Sequence, residues 1–82
     1  MHWVYAIHNR QANKSYIGQT EDVEKRLQAH NTHALGGYTA RFPGKWELIY
    51  KESVVTRSEA LKREKQLKSF RGREFVKQFI LG

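Results

Sequence analysis

The spacing of apolar and polar positions changes along the chain, and each change predicts an element. Trp3-Val4-Tyr5-Ala6-Ile7 is a short apolar and aromatic run of the kind that forms a strand. Asn9 to Lys14 is polar and reads as a turn or loop. Ser15-Tyr16-Ile17-Gly18 reads as a second strand, so the two make a β-hairpin. Side chains alternate faces along a strand, which puts Trp3, Tyr5 and Ile7 on one face and Tyr16 with Gly18 on one face. Pairing of the strands can bring Tyr5 and Tyr16 together, and Gly18 leaves room beside Tyr16 for something to approach the backbone. Thr20 is predicted to cap a helix that runs to Asn31, with Glu21 and Asp22 in its first turn. Val23 and Leu27 share a face of that helix. At about 100° per residue, Arg26 and His30 fall on the flank of the same stripe, near the sheet at the edge of the core.

Residues 32–45 are the least regular. Gly36-Gly37 and Pro43-Gly44 are loop signals, and Tyr38, Arg41 and Phe42 lie between them. Aromatic and basic residues together can contact phosphate and stack on bases. The expectation is that Tyr38 and Phe42 pin the loop to the core and that Arg41 meets phosphate. Trp46 to Val55 predicts a third strand, with Trp46, Leu48 and Tyr50 on the side of the larger core. Thr56-Arg57-Ser58-Glu59 is a capping box that opens a second helix running to about Ser69, Thr56 bonding the Glu59 amide and Glu59 reaching back to the Thr56 amide. The apolar stripe of that helix is Ala60, Leu61 and Leu67, with Glu64 in its middle and Lys68 towards its edge. A carboxylate aimed at a core costs roughly several kcal/mol unless something compensates it. The candidates are a cation, a set of hydrogen bonds or a metal. Ser69-Phe70-Arg71-Gly72 breaks the pattern, and Arg73 to Leu81 predicts a last helix with Phe75, Val76, Phe79 and Ile80 on its buried face.

Size and charge narrow the function. The 82 residues are expected to form a single domain, residues 1–82, with a small core and a shallow site open to a large substrate. There is no cysteine, which excludes disulfides and zinc-thiolate sites, and the four histidines do not have metal-ligand spacing. No apolar stretch reaches membrane-spanning length and no signal peptide is visible, so no membrane partner and a cytoplasmic setting are expected. The net charge of +7 points to nucleic acid. Eight Lys/Arg against three Glu between Arg57 and Lys77 give that segment +5, so Lys65, Arg71 and Arg73 are expected to face phosphate.

Val4-Tyr5, then Tyr16-Ile17-Gly18, then Arg26 and His30, resembles the pattern of the GIY-YIG nucleases over the chain up to about Lys68, most of all the small single-domain members. The resemblance implies an α+β fold, a small three-stranded antiparallel sheet flanked by three helices. It implies that Arg26 is the family's catalytic arginine and that His30 stands where members carry Tyr or His. Glu64-Lys65-Gln66-Leu67-Lys68 is similar to the stretch that carries the family's metal-binding Glu, with Glu59 the rival already explained by its capping box. The chain departs from the pattern in three places. Trp3-Val4-Tyr5 stands for Gly-Ile-Tyr, Gln19 stands where some members carry Lys, and no Asn follows Glu64.

The expectation is therefore a Mg²⁺- or Mn²⁺-dependent DNA endonuclease. Glu64 holds the ion, Arg26 binds a non-bridging oxygen, and Tyr5 or Tyr16 orients or deprotonates the water, with His30 as the alternative base. Gly18, Arg41, Lys65, Lys68, Arg71 and Arg73 are the expected nucleic-acid contacts, to duplex or branched DNA or to RNA, by a monomer acting in DNA repair or processing. The rival readings are a DNA- or RNA-binding module that keeps the fold without cleaving, and a protein-interaction module.

Overall fold

A computed structural model of the chain describes residues 1–34 and 36–80. Its elements are β1 (His2–Asn9), β2 (Lys14–Thr20), α1 (Val23–Asn31), a 3-10 turn (Thr39–Arg41), β3 (Trp46–Val54), α2 (Arg57–Lys68) and α3 (Phe70–Lys77). The fold is α+β. The three strands form one antiparallel sheet in the order β2-β1-β3, with β1 in the centre.

β1 is covered on both faces, which is why its sequence is a continuous apolar run rather than an alternation. Val4 and Ala6 pack with Ile17, Ala60, Leu67 and Val76 under α2 and α3. Tyr5 and Ile7 pack with Trp46 on the other side, where Leu27 of α1 closes over them. The hairpin turn is held by Asn9, which is fully buried. Its Oδ1 accepts from the Ala12 amide (3.0 Å) and its Nδ2 donates to the Pro43 carbonyl (2.9 Å), tying the turn to the distant loop.

Several expectations are corrected. The cap of α1 is Asp22, whose carboxylate accepts from the Lys25 amide, while Thr20 still belongs to β2 and pairs with Trp3. The Thr20 hydroxyl instead holds the link, bonding the Asp22 amide at 3.2 Å. In β3 the alternation breaks, because the pairing passes from Ala6 with Tyr50 to Ile7 with Leu48. Ile49 is the extra residue of a bulge, and a bulge turns the next residues of its strand to the opposite face. Trp46 and Leu48 therefore lie with Tyr5 and Ile7, whereas Tyr50 packs on Phe75 and Phe79 at the other face.

On α2, Leu61 is exposed at 47 %, while Ala60 and Leu67 are buried. The capping box forms through the Glu59 amide and Thr56 hydroxyl (3.1 Å), but the Glu59 carboxylate accepts from the Val55 amide, one residue before the expected donor. Lastly, α3 begins at Phe70, so Ser69 alone separates it from α2. Ser69 serves both helices. Its hydroxyl donates to the Gln66 carbonyl and accepts from the Gly72 amide. Gly72 is required here, since a Cβ would collide with the Gln66 carbonyl and the Leu67 backbone. α3 ends at Lys77, so Phe79 and Ile80, both half-buried, follow it; of the rest of the predicted buried face Val76 is buried and Phe75 is 36 % exposed, and Leu81 lies outside the described residues.

Candidate active site

The register of the hairpin builds the centre of the site. Tyr5 lies opposite Gly18 and Ile7 opposite Tyr16, so Tyr5 and Tyr16 are diagonal neighbours on one face. Their ring centroids are 6.5 Å apart. The space over Gly18 is taken by Tyr5, for a Cβ there would stand 2.7 Å from the Tyr5 hydroxyl. The glycine thus admits the Tyr5 ring across the strand pair.

His30 joins the two tyrosines from α1, with its ring centroid 5.9 Å from Tyr5 and 5.2 Å from Tyr16. Its Nε2 hydrogen-bonds the Tyr5 hydroxyl and its Nδ1 the Thr39 hydroxyl, each at 2.8 Å. Tyr5, His30 and Thr39 are all nearly inaccessible (2 %, 3 % and 2 %), so this chain of hydrogen bonds is shielded from water. Thr39 is placed in turn by Trp46. The Trp46 indole donates to the Thr39 carbonyl (3.2 Å), and the Trp46 backbone is gripped on both sides by the Asn31 amide (2.7 and 3.0 Å).

Burial, first of all, pushes the Tyr5 phenol well above its ordinary 10.0; Tyr16 and Glu64 push the same way, and Arg26 opposes them. Burial, then the charge of Arg26, lowers His30 below 6.5, which leaves its ring neutral at neutral pH. Both of its nitrogens are already engaged, one by Tyr5 and one by Thr39. Tyr16 differs from Tyr5 in access. It is half-buried and lines a groove of about 560 Å³. Tyr38 stacks on it (6.1 Å, 25°), and Phe42 links Tyr38 to Trp46, so these two aromatics do pin the loop to the core.

Arg26 is half-buried beside this cluster, and among the described residues no carboxylate lies within ion-pair distance of it. The Asp22 side chain, four residues before Arg26, is occupied at the cap of α1. Glu64 is half-buried and compensated by Lys68 at 3.2 Å, and the Lys68 ammonium lies 5.9 Å from the Tyr16 ring centroid. No group of three or more His, Asp or Glu able to hold an ion exists among the described residues. Glu64 could therefore offer an ion a single carboxylate. A single carboxylate would suit Mg²⁺, which keeps several waters and takes one or two carboxylates plus substrate phosphates. The competing bond to Lys68 is an i,i+4 pair, of a kind worth only about 0.3–0.5 kcal/mol when exposed.

Of the expected contacts, Lys68 and Arg73 line the groove, while Arg41, Lys65 and Arg71 are exposed and stand outside its walls. Sequence reasoning missed Thr39, Lys14 and Lys77. Thr39 meets His30 only through the loop that follows α1, and nothing local in its spacing marks it. Lys14 and Lys77 are 63 positions apart and meet only through the packing of α3 against the hairpin.

The profile of the GIY-YIG catalytic domain matches residues 1–75, which takes in both tyrosine strands, Arg26, His30 and Glu64. The chain belongs to the GIY-YIG family, whose nucleases act on nucleic acids, and its function is of the nuclease type. Within that family it is similar to small UPF0213 proteins. It is 36 % identical over 69 residues to the one of Staphylococcus saprophyticus (84 % of this chain, 82 % of that one). To the one of Haloquadratum walsbyi it is 39 % identical over 70 residues (84 % and 75 %). The solution NMR structure of a UPF0213 protein from Bacillus halodurans superposes with a TM-score of 0.54 at 26 % identity, over 94 % of this chain and 82 % of that one. No helix among the described residues is long and apolar enough to cross a membrane.

Proposed function

We propose that this protein is a metal-dependent endonuclease, using Mg²⁺ or Mn²⁺, that hydrolyses phosphodiester bonds in DNA. One arrangement carries the reading. Tyr16 stands at an open groove, its ring against His30, beside a half-buried Arg26 without a carboxylate partner among the described residues. A guanidinium left in that state is ready for an external anion, and its planar fork suits a phosphoryl oxygen. Tyr16 is the tyrosine that a water can reach, and, once deprotonated to the phenolate, it takes the proton from that water. Tyr5 has the wrong properties for that step, with a buried hydroxyl already bonded to His30 and a phenol that resists ionisation. Its work is to hold the His30 ring, and so Tyr16, in place. Glu64 would hold the ion, which when bound stabilises charge on the phosphoryl and leaving oxygens. Branched or otherwise structured DNA, as arises in repair and processing in the cytoplasm, is the substrate this reading favours.

The second reading is a nucleic-acid-binding module that keeps the fold without cleaving. Gln19, in place of a lysine, and Lys68, already seated on Glu64, favour it. Purified protein incubated with duplex, branched and single-stranded DNA and with RNA, in Mg²⁺, Mn²⁺ or EDTA, separates the two. Nicking that needs the ion is the expected result; salt-sensitive binding with no nicking in any condition assigns the module.

A further inference from the structure

Of the candidate catalytic residues, Tyr16 alone lines the groove, and the groove is also lined by four cations from three elements: Lys14 of β2, Lys68 of α2, and Arg73 and Lys77 of α3. No carboxylate is among the lining residues. Arg73 and Lys77 are four apart on one helix and so share a face. They reach the groove because α3 folds back on α2 after the single residue Ser69, with Gly72 against the α2 backbone. Two of the cations have an acidic neighbour, Lys68 with Glu64 (3.2 Å) and Lys77 with Glu74 (3.3 Å). Lys14 and Arg73 make no ion pair among the described residues. Ser15 adds a hydroxyl to the wall, held at 2.9 Å by the Nδ1 of His8. Like charges gathered around one open groove repel each other until an anion enters, and a row of them suits a polyanion.

We propose that this groove is a phosphate track, seating consecutive phosphodiesters of the strand that flanks the bond held at Tyr16, with Lys14, Arg73 and Lys77 as its ligands beside Lys68. The proposal rests on the nucleic-acid reading above and deepens it. The basic face of α2 and α3 read from sequence places Lys65 and Arg71 on phosphate; the groove assigns Lys14 and Lys77 instead. A polynucleotide fits better than a small anion because four cations from three elements surround one open groove of about 560 Å³ that Tyr16 also lines.

The test is binding of a labelled DNA duplex in EDTA across a range of salt, by wild type, Lys14→Gln, Lys77→Gln, the double variant, Lys65→Gln and Lys62→Gln, with circular dichroism to confirm folding. Each phosphate neutralised contributes about −0.9 to the slope of log K against log salt. Lys14→Gln and Lys77→Gln should each make the slope shallower by about 0.9 and the double variant by about 1.8. Lys62→Gln, exposed on α2, should leave it unchanged. A second readout places single neutral methylphosphonates along one strand. Wild type should lose affinity at adjacent positions, and Lys77→Gln should be insensitive at one of them. Slopes unchanged in both groove variants but shallower in Lys65→Gln overturn the track while leaving the nucleic-acid reading intact. Polyglutamate that competes as well as DNA of equal charge also overturns it. Absence of any salt-dependent binding by wild type removes the nucleic-acid reading, and the track with it.

Discussion

Val4 and Ala6 leave one side of the central strand, and Tyr5 and Ile7 leave the other. On the first side the buried neighbours are all apolar: Ile17, Ala60, Leu67 and Val76. The second side is buried as deeply, yet it carries a phenol, an imidazole and a threonine hydroxyl joined by two hydrogen bonds of 2.8 Å. Burying a polar group without a partner is costly, so such a chain persists only when its members satisfy one another. Depth of burial therefore does not separate core from site in this small protein. Paired polar atoms do, together with two side chains that lead outward from them, Tyr16 into the groove and Arg26 towards an anion.

The largest effect expected from breaking this contrast is at Leu67. Leu67→Ala opens a cavity on the apolar side and should cost about 2–5 kcal/mol in urea unfolding. Where the variant is still folded, its cleavage per folded molecule should be little changed. Gly18→Ala attacks the other side. The added methyl must move the Tyr5 hydroxyl off His30, and overpacking of this kind costs about 1–3 kcal/mol. Here cleavage should fall further than the loss of folded protein explains.

Thr39→Val keeps the volume and leaves one His30 nitrogen buried and unpaired, at a cost of about 1–3 kcal/mol. Thr39→Ser should restore both stability and rate. Nitrogen NMR shifts of the His30 ring should move in the valine variant and return in the serine variant. A Thr39 that only packs would leave those shifts where they are.

The smallest effect is on the pH profile of stability. His30 has its pKa lowered in the fold, so below about pH 6.5 the unfolded chain binds more protons and stability should fall with falling pH. Tyr5 has its pKa raised, so above about pH 10 the folded chain binds more protons and stability should fall with rising pH. Melting temperatures should show these two limbs, with His30→Asn flattening the acid one and Tyr5→Phe the alkaline one. Burial raises the Tyr50 phenol on the apolar side as well, so Tyr50→Phe should remove its own share of the alkaline limb.

The hairpin, the faces of its tyrosines, the flank position of Arg26 and His30 and the Thr56 cap are legible in the sequence because each is set by residues a few positions apart. The bulge at Ile49 is not, since it exists only relative to β1. The exposure of Leu61 depends on how α2 meets the sheet and α3, and the close contact of Gly72 with the last turn of α2 lets α3 start at once after Ser69. Thr39 and the pair Lys14 and Lys77 are beyond local reading for the same reason, because their partners arrive through tertiary packing. Gly18 shows the limit in another way. The sequence marks a space beside Tyr16, but only the register tells that Tyr5 fills it.

The central claim is that the tyrosine side of β1 is chemical. The most direct test is a nicking assay of wild type, Tyr16→Phe and Glu64→Gln in Mg²⁺ and in EDTA, with DNA affinity measured in parallel. Phenylalanine removes only a hydroxyl and glutamine only a charge, so both proteins should fold and bind, Glu64→Gln as tightly as wild type or tighter. Wild type should nick only with the ion. Tyr16→Phe should lose about 10²–10⁴-fold in rate, the range of a positioned proton acceptor, and Glu64→Gln should lose ion-dependent cleavage altogether. Cleavage at the wild-type rate in both variants, with the same need for Mg²⁺, would contradict the account.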